Sequence, residues 1–186
     1  MKKAVLALML AAAAIAQAAD APYGLLDITL GAGYAQLEQT LDLRDINAAL
    51  AARHGSGKLD LGRRGYGCLP REDEFADIGC VSHDERLDEV ATREIRLQFL
   101  AGRLQQISLT AETRYFDVVI DYLRRRYGPP RVVATADAPR YEWGNASSRM
   151  YALHGPNLVF VSLELASYQN AVARKRAHGG SVPECR

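Results

Sequence analysis

The stretch Cys80-Val81-Ser82-His83-Asp84-Glu85 gathers a thiol, an imidazole and two carboxylates, the groups of metal ligation and proton transfer. A structural zinc site needs four ligands at spacings that close a tetrahedron. Here a single Cys-x-x-His has no second pair, so a half-cystine beside an acidic turn is the simpler reading. Gly31-Ala32-Gly33 starts like a dinucleotide loop, but position 36, which the fingerprint needs as glycine, is Gln. The glycines are read as a tight turn from strand into helix. Gly55-Ser56-Gly57-Lys58 imitates a phosphate loop, yet Ala52 and Leu59 stand where Gly and Ser/Thr are required. His54, His83, His154 and His178 lie in no hydrolase pattern, and no serine has a G-x-S-x-G setting. Carboxylate pairs such as Glu72/Glu74 and Asp84/Glu85 fit solvated loops; two carboxylates across a cleft would serve a glycosidase. The sequence therefore nominates no catalytic residue, no metal ligand and no cofactor. A small hydrolase of cell-wall or carbohydrate substrates, or a small-ligand binder, stands as the alternative to a non-enzymatic protein.

Binding chemistry is the other possibility. Tyr141, Trp143 and Tyr151, with Arg149 between them in sequence, are the candidate binding face, since aromatics and arginine anchor interfaces. Arg124-Arg125-Arg126 and Arg174-Lys175-Arg176 are basic clusters that read first as solvated helix ends complementing the dipole.

The first 18 residues speak to compartment. Lys2-Lys3, an apolar run from Ala4 to Ile15 and then Ala16-Gln17-Ala18 have the order of a secretory signal peptide. No cysteine follows the cut, and no later stretch has the apolar length of a membrane span. Cleavage takes Lys+Arg from 23 to 21 against 22 Asp+Glu. Near-neutral charge and export both argue against a nucleic-acid partner. The expected location is the periplasm or the exterior, where disulfides form. Cys68 and Cys80 are expected to pair across a hairpin, leaving Cys185 in the tail.

These residues need elements to hold them. Residues 25–30 read as a strand and 34–52 as helix, with Asp45 able to cap a second piece from Ile46 to Arg53. Strands are expected near Tyr66–Leu69 and Phe75–Ser82. Arg93–Phe99 alternates, turns at Ala101-Gly102-Arg103, and returns over Leu104–Leu109. Phe116, Val119, Ile120, Leu123 and Tyr127 make one helical stripe, capped by Thr113 and stopped by Gly128-Pro129-Pro130. Strands over Val132–Thr135, Ser148–Leu153 and Leu158–Leu165 and a short helix over Ala166–Ala177 complete the pattern. The predicted fold is one α+β domain, 19–177, with helices packed on one face of an antiparallel sheet. It has two helix-then-strands halves, about 24–110 and 111–177, and a tail at 178–186.

The segment "DITLGAGYAQLEQTL", the two cysteines and "REIRLQFLAGRLQQISL" together resemble a helix-plus-hairpin unit. That unit is found in secreted β-lactamase inhibitor proteins and in small outer-membrane-assembly lipoproteins of the SmpA/OmlA type. Leu30-Gly31 and Phe99-Leu100-Ala101-Gly102-Arg103-Leu104 stand where that unit carries its I-x-x-G and F-x-x-G-x-L signatures, although Ala32-Gly33 replaces its Met-Ser/Thr and the lipoprotein cysteine is missing. The resemblance spans residues 25–109. The second half, with "YFDVVIDYLRRRYGPP" and "YEWG", is similar to uncharacterised exported bacterial proteins. What the resemblance implies is a sheet with helices on one face and a habit of binding proteins. The expected function is an exported, non-enzymatic protein-binding module of the envelope, an inhibitor or assembly accessory. Its partner would be another envelope or secreted protein, and it would not span the membrane.

Overall fold

The computed structural model describes residues 21–45, 65–71, 73–83, 85–135 and 138–177. The expected signal peptide (1–18), the expected helical piece from Ile46 to Arg53, Gly55–Lys58, Glu72, Asp84 and residues 178–186 with Cys185 lie outside the described residues. Twelve strands are described: β1 (Gly24–Leu25), β2 (Ile28–Thr29), β3 (Leu43–Asp45), β4 (Tyr66–Pro70), β5 (Ile78–Ser82), β6 (Arg86–Leu87), β7 (Val90–Leu100), β8 (Arg103–Glu112), β9 (Arg131–Val133), β10 (Arg140–Gly144), β11 (Ser148–His154) and β12 (Leu158–Leu165). The helices are α1 (Tyr34–Glu38), α2 (Phe116–Tyr127) and α3 (Tyr168–Ala177). β1 and β2 form a hairpin of their own. The others make one ten-stranded sheet in the order β3-β4-β5-β7-β8-β12-β11-β10-β9, with β6 pairing β7 off that path.

The expected α+β arrangement is overturned. The described chain is 48% strand and 22% helix, with three α-helices among the described residues. The sheet is mixed, because β3 runs parallel to β4. The helices do not share a face either: α1 and α2 join the main core on one side, and α3 packs on the other. The two halves share that sheet, since β8 pairs β12 over Glu112–Gln106 and Leu158–Glu164.

Period-two alternation sets the two faces. On β7, Ile95, Leu97 and Phe99 are buried while Glu94, Arg96 and Gln98 are half-buried. Register extends that division sideways: Leu97 faces Ile107 of β8, which faces Leu163 of β12, which faces Met150 of β11, all buried. The β7–β8 turn is tight because Ala101 and Gly102 both take positive φ, +54° and +71°, as a two-residue hairpin of right-handed twist requires. On the apolar side, α2 lays Val119, Ile120 and Leu123 into the same core as Leu25 and Ile28 of the first hairpin and Leu37 of α1.

Local chemistry explains the differences from expectation. α1 stops at Glu38 because Thr40 and Leu41 turn their amides, and Thr40 its hydroxyl, onto the Leu37 carbonyl. The chain then extends into β3. Thr113 does not cap α2, whose start at Tyr115 has no side-chain cap. Its hydroxyl donates to the Gly155 carbonyl at 3.0 Å and lies 2.9 Å from His154 Nε2, tying the helix start to the β11–β12 turn. Gly31-Ala32-Gly33 is a turn welded to the β7–β8 hairpin: Gly31 N–H donates to Leu104 O and Leu104 N–H to Ala32 O, with Gly31 at φ +85°. Cys68 and Cys80 sit directly opposite on β4 and β5, Cα 4.0 Å apart, with sulfurs at disulfide-bond distance.

Candidate functional site

The strands present their second face as a broad polar surface. Among the described residues only α3 packs on it, at one end, where Leu100, Tyr168, Ala171 and Val172 form a small core separate from the main one. Tyr168 Oη lies within hydrogen-bond distance of Gln98 Oε1 (3.0 Å) and the Phe75 carbonyl (3.2 Å). Burial pushes its pKa up to about 12, with the Glu164 charge adding to the effect. Lys175 Nζ donates to Ala76 O and Asp77 Oδ1, both at 2.8 Å, and Arg176 pairs with Glu74.

Beyond α3 the face carries a groove of about 730 Å³ along β9, β10, β11 and β12. Its charge comes from alternation on β10, where Arg140, Glu142 and Gly144 point into the groove between Tyr141 and Trp143. Arg131 of β9 and Arg140 both pair with Glu142, which lies opposite Arg131 in the ladder. The hydrogen bond from Arg131 holds the Glu142 carboxyl below the ordinary glutamate range; burial opposes the shift and Arg140 adds to it. Arg140 also lies over the Tyr151 ring, 6.0 Å from its centre, within cation–π range. Tyr151 in turn meets Phe160 of β12 at 5.9 Å.

Arg149 stands differently. Its cross-strand neighbours are Glu164 on β12 and Gly144 on β10. Glu164 is taken up by Gln106, whose Nε2 donates to Oε1 at 2.9 Å, and by the Gln169 amide at 3.5 Å. Gly144 has no side chain, and a Cβ there would meet open space. Arg149 is exposed and its guanidinium has no partner among the described residues.

A second, smaller depression of about 180 Å³ lies at the other end of this face, between Arg71, His83, Arg96 and Gln98. Arg71 pairs with Asp73 and Arg96 with Glu94.

Of the sequence-nominated face, the structure brings Tyr151 and Arg149 together in the groove. Tyr141 and Trp143 turn to the apolar side. Tyr141 packs edge-on against Phe116 of α2 at 5.5 Å. Trp143 borders the groove but is 6% exposed, and its Nε1–H donates to the Gly128 carbonyl at 2.8 Å. Arg131, Arg140, Glu142 and Glu164 join the groove without having been nominated. The signal for Arg140 and Glu142 was the polar–aromatic alternation of Arg140-Tyr141-Glu142-Trp143-Gly144, while Arg131 and Glu164 enter through their ladder positions opposite Glu142 and Arg149. The Arg124–Arg126 cluster is engaged locally, by Asp121, Asp88 and the Tyr122 hydroxyl. Cys80 is committed to Cys68, and His83 Nδ1 meets the Arg93 carbonyl at 2.9 Å. No group of three or more metal-ligating side chains is found among the described residues, and no helix there is long and apolar enough to cross a membrane.

No family model, curated protein or solved structure matches this sequence.

Proposed function

We propose that this protein is an exported, non-enzymatic binding module of the bacterial envelope, an inhibitor or assembly accessory that docks another protein on the open face of its sheet. The observation that carries this reading is the asymmetry of the sheet among the described residues: one face is sealed by α1, α2 and the first hairpin, the other only by α3 at one end. The antiparallel run from β5 to β9 holds seven strands. At about 4.8 Å between strands it offers a projected surface on the order of 600 Å². That is the scale of the roughly 800 Å² a standard interface takes from each partner. The face is also better suited to docking than the sheet edge. β9 is three residues long and follows Pro129-Pro130, a short, proline-flanked edge of the kind that resists strand addition. Glu142, doubly paired and held ionised, suits a fixed ion pair better than a proton donor. Export is read from the first 18 residues and is compatible with the Cys68–Cys80 pair.

The test is crosslinking of the tagged, exported protein in native envelope extract. One saturable protein partner is expected. Its capture is to be lost with Tyr151→Ala and Ser108→Arg on the open face and kept with Arg125→Glu on α2. Capture indifferent to the open-face changes would sink the assignment.

A further inference from the structure

We propose that the groove takes a carboxylate from the docked protein, an acidic residue or a terminal carboxylate, with Arg149 as its anchor. This rests on the open face being the docking surface and adds the chemistry of what docks there. Among the described residues, three guanidiniums and two carboxylates line the groove, an excess of one positive charge. That charge is localised. Arg131 and Arg140 converge on Glu142, and the carboxylate nearest Arg149 in the ladder, Glu164, is already met by two amides. Among the described residues Arg149 therefore has no partner for its planar set of donors, and it stands beside the open space over Gly144. A guanidinium with free donors matches a carboxylate in a two-pronged geometry that lysine cannot reproduce. The apolar wall beside it, Tyr151 on Phe160, lowers the local dielectric and strengthens such a pair.

The experiment is titration of the exported protein with hexaglutamate, hexaglutamine, hexalysine and inorganic phosphate, following the arginine Nε–H resonances by NMR. Hexaglutamate is expected to bind saturably, to shift the Arg149 resonance, and to weaken as salt rises. Arg149→Gln is expected to lower that affinity about tenfold, the scale of one charge-assisted pair at a partly exposed site. Arg149→Lys should recover part of it. Unchanged melting of both variants shows that the loss is local. Hexaglutamate binding that is equal in Arg149→Gln, or that shifts only the arginines at the end of α2, overturns the proposal. So does phosphate binding at Arg149 more tightly than hexaglutamate, which would make the site one for free or esterified phosphate. If hexaglutamate fails while open-face-dependent capture from extract holds, the carboxylate inference falls and the module reading stands. If hexaglutamate binds at Arg149 but no protein is captured, it is the module reading that falls.

Discussion

The two faces of this sheet are made by the same strands and obey opposite rules. On one, Leu97, Ile107, Leu163 and Met150 run across four strands without a polar interruption and are sealed by α2 and the first hairpin. On the other, the adjacent positions are Gln98 and Gln106, Arg96 and Ser108, Tyr151 and Ser162, and the Gln106 amide donates across to the Ser162 hydroxyl at 3.1 Å. The first face gains its stability from burial, at about 25 cal/mol per Å² of apolar surface. The second gains little, because cross-strand polar pairs each contribute about 0.2–1 kcal/mol. A surface that contributes so little to folding is free to be chosen for another purpose.

The sharpest way to break that contrast is a pair of neighbouring substitutions on β8. Ile107→Ala, on the sealed face, is expected to cost about 2–5 kcal/mol in urea unfolding. Ser108→Ala, one residue along on the open face, is expected to stay within about 0.5 kcal/mol. Comparable losses at both positions would mean that the open face is part of the core after all.

Removing the Cys68–Cys80 pair by a double Ala substitution is expected to cost about 3 kcal/mol, the scale for a loop of this length. Thermal melting with and without reductant measures it. The loss should fall on the β4–β5 end of the sheet and leave the groove arginine resonances in place.

A third test isolates the cover that the described residues give the open face. Tyr168, the first residue of α3, is neutral and packs with Leu100, its pKa raised to about 12 from 10.0. A raised pKa of this kind stabilises the fold fully below about pH 10 and loses that contribution as pH climbs through about 12. Alkaline titration should release α3, seen by hydrogen exchange at Ala171 and Val172, before the main core opens. Simultaneous loss of both would show that the small core under α3 is not separable.

The smallest effect concerns Glu142. As an exposed-rim pair, its replacement by Gln should change stability by no more than about 1 kcal/mol. It should also tighten hexaglutamate binding, because two arginines lose their internal carboxylate. Its lowered pKa stabilises the fold above the ordinary value of 4.5, and that contribution fades as pH falls through the lower folded value. Acid should reproduce the stability change of Glu142→Gln in the native protein but not the tighter binding, because the carboxylates of hexaglutamate take up protons before Glu142 does.

What could be read from the residues was local. The β7–β8 hairpin announces itself through strict alternation and a glycine turn, α2 through its five-residue stripe, and the cysteine pair through two strand-like stretches near in sequence. What could not be read was pairing at a distance. The parallel contact of β3 with β4 depends on where the chain returns after Asp45, and no residue type encodes that. β10 is hidden because Arg140-Tyr141-Glu142-Trp143-Gly144 alternates aromatic with charged, and its aromatics read together as one surface. The pleat sends Tyr141 and Trp143 to one side and Arg140 and Glu142 to the other. Residue type alone thus groups side chains that a period of two separates, and only Tyr151 and Arg149 of the nominated four share the groove fully.

The hydrogen bonds from Tyr23 N–H to Ser148 Oγ, 2.8 Å, and from Asn145 Nδ2 to the Ala21 carbonyl, 2.8 Å, join the start of the described chain to the β10–β11 turn. Together with the β8–β12 seam, they give the native contacts long sequence separations. Such a topology folds slowly, because loop closure comes before the contacts that repay it. During synthesis, Ala21 and Tyr23 wait for these partners until residue 148 has emerged. The leading segment is therefore left without its full set of contacts until most of the chain has been made, the state in which the export proposed above would need to find it.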